Sequence, residues 1–147
     1  MRRPAKIKAT DRIIDANINR AKEGLRVCEE IARFLLNSQR LTTEFKKIRH
    51  QINAIVKGLL PYTALLGARE SLKDVGKDVY IDELKRKDFR DIFFANIQRI
   101  KESIRVLEEF SKLKNSDIAI KFKEIRYNIY ALEKKVTKKI SSLRYNR

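Results

Sequence analysis

A stretch of fifteen residues occurs twice in this chain. Residues 16–30 read ANINRAKEGLRVCEE and residues 95–109 read ANIQRIKESIRVLEE, identical at ten of fifteen positions with a constant offset of 79. Each copy is followed by a second matched segment, FKKIRHQI at 45–52 and FKEIRYNI at 122–129, now offset by 77. Within each segment apolar residues recur three and four apart, which is the period of a helix with one buried face. Each half therefore reads as a helix, a short connection and a second helix, an αα-hairpin used twice. The expected fold is all-α: a helical bundle made of two repeated αα-hairpins related by a pseudo-twofold, with an irregular loop between them. It forms one domain over 1–147, with repeat 1 at about 11–60, the loop at 61–88 and repeat 2 at about 89–143.

Composition agrees and removes the alternatives. Only 4 Gly and 2 Pro are spread over 147 residues, too little turn punctuation for an all-β fold and too little glycine for a dinucleotide-binding α/β fold. With 43% apolar residues the chain has the means to build a core. The single cysteine, Cys28, excludes a disulfide framework and a cysteine metal cluster, and the single histidine, His50, excludes multi-histidine metal sites and a Ser-His-Asp triad. No apolar run approaches the roughly 18 residues that span a bilayer, and no secretory segment follows Arg2 and Arg3. A soluble, cytoplasmic protein without membrane contact is the expectation. Lys and Arg number 35 against 19 Asp and Glu, a net charge of +16, so the partner is anionic: phosphorylated small molecules, nucleic acid or an acidic surface.

Apolar spacing and breakers place the elements. The first helix is expected from near Asp11 to Leu36, capped by Thr10 or Asp11 and ended by Asn37 and Ser38. The second begins after Thr42 or Thr43, with Thr42 as the cap, and runs to about Gly58. The middle, 61–88, is irregular apart from a helical piece around Tyr62 to Leu66. The third helix runs from near Asp88 to about Lys114 and the fourth from about Asp117 to Leu143.

At 100° per residue, Ile13, Ala21, Gly24, Val27, Cys28, Ile31 and Leu35 form the apolar stripe of the first helix, where Cys28 reads as a packed thiol. Asn17 and Arg20 fall inside that stripe. Asn96 and Arg99 hold the same places in the repeat, and Arg49 and Arg126 border the stripes of the second and fourth helices. An inward arginine is costly without an anion beside it. Two readings stand: Glu23, Glu30, Glu102 and Glu109 pair with these arginines as interhelical clamps, or four arginines converge about the pseudo-twofold as a phosphate cage. Arg26 and Arg105 point away from the stripe.

Departures from exact repetition mark where asymmetric chemistry would enter. Glu133 stands where the first hairpin has Val56, as a catalytic or magnesium-binding carboxylate or the partner of Arg126 or Arg49. Tyr127 replaces His50 and Tyr130 replaces Asn53; either tyrosine would stack on a ring or serve in packing, and His50 is a candidate base or a plain surface group. The loop segment Arg69, Glu70, Lys73, Asp74, Val75, Gly76, Lys77 and Asp78 has no counterpart in the second half. Gly76 would turn the backbone so that amides meet an anion, and Asp74 would hold Mg²⁺. No G-x-x-x-x-G-K-[ST] loop, G-x-G-x-x-G turn, H-E-x-x-H helix or protein-kinase catalytic loop is present.

The segments RIIDANINRAKEGLRVCEEIARFL, ANIQRIKESIRVLEEF and FKEIRYNIYALEK resemble one family, the small all-helical, monofunctional hydroxymethylpyrimidine phosphate kinases of thiamine biosynthesis, found alone or fused in front of thiamine-phosphate synthase. The likeness runs from about Asp11 to Glu133. In the loop, Arg69-Glu70 and Lys73-Asp74-Val75-Gly76 keep the register of the family's Arg-Asp and Gly-Asp-Val-Gly, with Glu for Asp and Lys for the first Gly. The resemblance implies transfer of the γ-phosphoryl of ATP, with Mg²⁺, to 4-amino-5-hydroxymethyl-2-methylpyrimidine phosphate. It also implies roles: Arg20, Arg49, Arg99 and Arg126 on phosphates, Asn17 and Asn96 orienting phosphate or pyrimidine, Arg69 on the transferring group, Asp74 and Gly76 at magnesium and phosphates. Contact with or fusion to thiamine-phosphate synthase and a homodimer are the protein partners it suggests. Two further readings stay open: a non-catalytic, partner-dependent domain of such a synthase, and a basic nucleic-acid-binding helical module, the least favoured because the distinctive cations lie on apolar faces.

Overall fold

The computed structural model describes residues 5–59, 61–78 and 84–144, and these form five α-helices with no strand among them. Helix α1 spans Ala5–Glu30 and continues through one wider turn, Ile31–Leu35. It is followed by α2 (Gln39–Lys57), the short α3 (Tyr62–Ala68), α4 (Phe89–Ser111) and α5 (Ser116–Arg144). A 3₁₀ turn, Ser71–Lys73, follows α3. No described helix is long and apolar enough to cross a membrane.

The element boundaries follow from where orphaned backbone groups find partners. Asn37 takes the left-handed conformation (φ 48°), which an asparagine tolerates, and Ser38 N–H then donates back to Ala32 C=O at 3.0 Å. Ser38 Oγ in turn accepts from Leu41 N–H at 3.2 Å. One residue thus closes the first helix and caps the second, so α2 starts at Gln39 and not after Thr42. Thr42 lies inside the helix, its hydroxyl donating to Ser38 C=O at 2.6 Å. Asp11 is likewise no cap: it is 1% exposed, bonded to Lys114 Nζ at 3.0 Å, and α1 begins six residues earlier than expected. Asp88 does cap α4, accepting from Arg90 and Asp91 N–H, and Tyr62–Ala68 is helical as the sequence predicted.

α1 and α4 are the central pair; α2 and α3 pack on α1, and α5 packs on α4. Asp11 meets Lys114 while Gly24 meets Asn96 and Ile100, so the partner number falls as the α1 number rises and the two helices run antiparallel. They approach closely at Gly24, where an added Cβ would lie 2.8 Å from Ile100 Cγ1 and 3.2 Å from Asn96 O. Its repeat mate is Ser103, buried, with its hydroxyl turned onto Ile100 C=O at 3.0 Å. The sequence-matched positions Phe45 and Phe122, Leu25 and Ile104, and Ile52 and Ile129 are all 0% exposed.

The stripe read from the first helix was too narrow. Ile14, Ile18 and Leu25 are buried outside it, because α1 is covered by α2, α3 and α4 at once, while Leu35, at the end of the stripe, is 51% exposed. The wide turn at 31–35 shifts the helical phase just before Leu35 and turns that side chain outward.

Candidate functional site

Two hollows, of about 460 and 530 Å³, lie side by side on α1 and share Asn17 and Arg20 in their linings, a groove in two compartments. The first is bounded by α1 and the segment after α3, with Arg12, Asp15, Arg69, Glu70 and Asp74 on its walls. The second extends over the α1–α4 crossing to Arg99, Glu102 and Ser103, beneath Gly76, Lys77 and Asp78. Repeat mates Arg20 and Arg99 thus reach the same space from the two central helices. Asn17 is buried, its Nδ2 donating to Ile13 C=O at 2.8 Å, and Arg20 Nη1 approaches Asn17 Oδ1 at 3.5 Å. Asn96 makes the same bond to Ile92 C=O at 2.8 Å but lies at the Gly24 crossing rather than on the groove wall.

The loop is organised by its own side chains. Asp74 Oδ1 accepts from Gly76 N–H at 2.8 Å, and Lys77 Nζ donates to Leu72 C=O at 2.6 Å. Gly76 does not adopt a positive φ, and its amide is already engaged by Asp74, so the expectation of a free backbone anion cradle there is corrected. Arg69 reaches α1 instead: Nε donates to Asp15 Oδ2 at 2.9 Å and Nη2 to Oδ1 at 2.8 Å.

Besides Asn96, four of the expected ligands are elsewhere. Arg49 donates to Glu29 at 3.3 Å and Arg126 to Glu108 at 3.2 Å; in both pairs the arginine side chain is 15% exposed and the glutamate 5%. Arg26 and Arg105 close the same glutamates from the solvent side. These are duplicated hairpin clamps, so the four-arginine cage does not assemble. The clamp reading holds for Arg49 and Arg126 alone, through Glu29 and Glu108 rather than Glu23, Glu30, Glu102 or Glu109; Arg20 and Arg99, expected to point inward, are exposed instead. Glu133 is gripped through both oxygens by Lys101 Nζ at 3.0 and 3.1 Å, not by Arg126 or Arg49. Tyr130 joins that group, its hydroxyl accepting from Arg126 Nη1 at 3.3 Å and its ring 5.6 Å from Lys101 Nζ. This bond, ahead of Glu108, lifts the Arg126 guanidinium further above its ordinary range. Burial, with Glu133 nearby, pushes the Cys28 thiol up to about 12, which leaves it a packed, unreactive group. Tyr127 borders a separate hollow with Arg105 and Lys123, and His50 is exposed on α2.

The ThiD2 family matches residues 12–135, a span that takes in both repeats and the loop between them. The chain belongs to the ThiD2 family. Proteins named thiamine-phosphate synthase are similar to it: one from Synechocystis sp. is 41% identical over 128 residues, covering 85% of this chain and 35% of the relative. One from Nostoc punctiforme is 41% identical over 123 residues (83% and 34%), and one from Rhodopirellula baltica 38% over 133 residues (90% and 35%). The ThiD2 chain thus spans about a third of the length of the curated relatives it matches. No solved structure matches it.

Three acids of this ThiD2 chain escaped the sequence reading. Glu29 and Glu108 are the first of each duplicated Glu-Glu pair, one residue from the glutamates expected as clamps, and a 100° step separates the two choices. Asp15 lies between the buried Ile14 and the groove residue Asn17, and its signal was the repeat itself, which puts Phe94 in its place.

Proposed function

We propose that this chain acts in thiamine biosynthesis as a phosphotransferase, passing the γ-phosphoryl of ATP to the phosphate of 4-amino-5-hydroxymethyl-2-methylpyrimidine phosphate. The observation that carries the reading is the pair of adjoining hollows in a ThiD2-family chain: Asn17 and Arg20 line both, Arg69 and Asp74 the first, and Arg99 and Lys77 the second. Phosphoryl transfer asks a protein mainly to position two phosphates and offset their charge. In the proposed reaction an oxygen of the acceptor monophosphate bonds to the γ-phosphorus as the bond to the β–γ bridging oxygen breaks, releasing ADP. That nucleophile is already an anion at neutral pH, since a phosphomonoester has its second pKa near about 6, so no general base is required and His50 has no task.

Arg20 and Arg99 would hold the two phosphate chains side by side against their repulsion, Asn17 would orient the acceptor, and Arg69 would face the transferring group. Mg²⁺ would arrive with the nucleotide. No set of three or more His, Cys, Asp or Glu among the described residues is arranged to hold a metal, whereas Mg²⁺ commonly rests on substrate phosphates with one or two carboxylates. Asp74 suits that role. Glu133, engaged at both oxygens by Lys101, does not. When bound, the ion supplies charge neutralisation across the phosphates. The cytoplasm, where ATP is available, is the proposed location.

The test is ADP release from Mg·ATP with the pyrimidine monophosphate, the free alcohol serving as control. Turnover with the phosphate alone is the expected result. The short span relative to the synthases favours one second reading, a binding domain that needs its partner; it would give no turnover while the monophosphate still raises the melting temperature. Neither turnover nor a thermal shift overturns both.

A further inference from the structure

Along the groove side of α1 the duplication keeps Ala16, Asn17 and Arg20, whose mates are Ala95, Asn96 and Arg99, but the position of Asp15 is taken in the repeat by Phe94. Phe94 is 43% exposed; Asp15 is 6% exposed. A carboxylate so deeply placed needs strong compensation. It comes from 54 residues away, through the two bonds from Arg69 Nε and Nη2 at 2.9 and 2.8 Å, with Asn19 Nδ2 adding a long contact at 3.4 Å. Two parallel bonds fix both the plane and the rotation of a guanidinium, which one bond cannot. Arg69 is the residue that ends α3 and opens the loop, and it borders the groove with Asn17 and Arg20. The second half of the repeat lacks both this loop and this acid.

We propose that Asp15 is the positioning residue of the phosphate site, setting the Arg69 guanidinium in the groove and so giving the first half of the repeat a role the second half lacks. The inference rests on reading the groove as a phosphoryl-transfer site. A carboxylate repels phosphate, so Asp15 serves through Arg69 and not by touching substrate. The rival is plain anchorage, in which Asp15 only fastens the loop to α1.

A double-mutant cycle tests the coupling, and Arg69→Lys separates the two readings, because an ammonium still fastens the loop to Asp15 but cannot be set in plane. Inorganic pyrophosphate affinity is measured by calorimetry for the wild type, Asp15→Asn, Arg69→Ala and the double variant, and kcat and KM are measured for the same four. The expected result is a loss of about tenfold in affinity for Asp15→Asn, a loss at least as large for Arg69→Ala, and a double variant no weaker than Arg69→Ala alone. Turnover should fall through kcat more than through KM. A double variant that loses the product of the two single losses, or an Asp15→Asn protein that binds like the wild type, overturns the proposal. Should Asp15→Asn not fold, Arg69→Lys decides: an ammonium cannot be gripped at two points, so the proposal requires it to lose as much as Arg69→Ala, and wild-type affinity overturns it. A non-additive binding cycle in a chain that shows no turnover would retain the positioning role and remove the kinase reading. An additive cycle in an active enzyme would do the reverse, and a wild type that does not bind pyrophosphate overturns both.

Discussion

Replacing Glu29 by Ala tests whether the inward arginines are clamps. The glutamate is 5% exposed and Arg49 is 15% exposed, 3.3 Å from it, with Arg49 Nε buried and lacking a hydrogen-bond partner. Removing one member of a buried pair costs about 3–5 kcal/mol because the other is stranded. The long bond and the unmet Nε put this pair at the low end, so the expected loss is about 3 kcal/mol. For a chain of this size that lowers the melting temperature by about 6–12 °C. Glu108 has the same exposure and a 3.2 Å bond to Arg126, so Glu108→Ala should cost the same within about 0.5 kcal/mol. Arg26, 55% exposed, returns to water and adds little. Replacing both partners with an apolar pair, Glu29→Met with Arg49→Met, should restore stability to within about 1 kcal/mol of wild type. Calorimetric or denaturant unfolding reads all four proteins, and pyrophosphate titration of folded Glu29→Ala should give wild-type affinity. A glutamate variant that unfolds like the wild type yet loses pyrophosphate binding would refute the clamp reasoning and return Arg49 to the phosphate site.

Arg99→Ala should lower ADP release by about 10²–10³-fold with helical circular dichroism unchanged; normal turnover would remove Arg99 from the groove chemistry. Gly24→Ala sets about 1 kcal/mol of helix propensity against about 1–3 kcal/mol of overpacking where Cβ would meet Ile100 Cγ1 at 2.8 Å, so thermal unfolding should reveal a net loss of about 1 kcal/mol, and a more stable variant would show that the crossing can open. Cys28, its thiol pushed up to about 12 by burial, should not react with a disulfide reagent at pH 8 until denaturant is added. Arg90 and the first backbone amides of α4 hold the Asp88 carboxyl at about 2. A lowered folded value stabilises above the unfolded pKa and is lost as pH falls, so the cap's contribution should vanish between about pH 4 and pH 2. Asp88→Asn should flatten that part of the stability profile, and an unchanged acid limb would contradict the assignment.

Much of the helical architecture was legible because both signals that specify it are local. The period of apolar residues and the duplicated ANI-R-KE-RV-EE segment gave four helices in order, and Pro61, Gly67 and Gly76 gave the break between them. Errors fell where two competing local signals were close in energy. Ser38 and Thr42 are both good caps, and Ser38 won because Asn37 next to it could take a left-handed turn. Leu35 looked inward until the wide turn at 31–35 changed the phase by part of a residue.

The sequence by itself determined the class of the fold, the repeat, and the residues that belong together by rank: Asn17 with Asn96, Arg20 with Arg99, Arg49 with Arg126. Only the tertiary structure decided which of these pairs share a space. Arg20 and Arg99 border one groove because α1 and α4 cross near Gly24 and Ser103, where small residues let the backbones approach. Arg49 and Arg126 are kept out of it because each meets a buried glutamate inside its own hairpin first. Asp15 and Arg69, 54 positions apart, carry no shared pattern in the sequence; their pairing exists because α3 packs on α1 and brings the Arg69 guanidinium to a buried carboxylate.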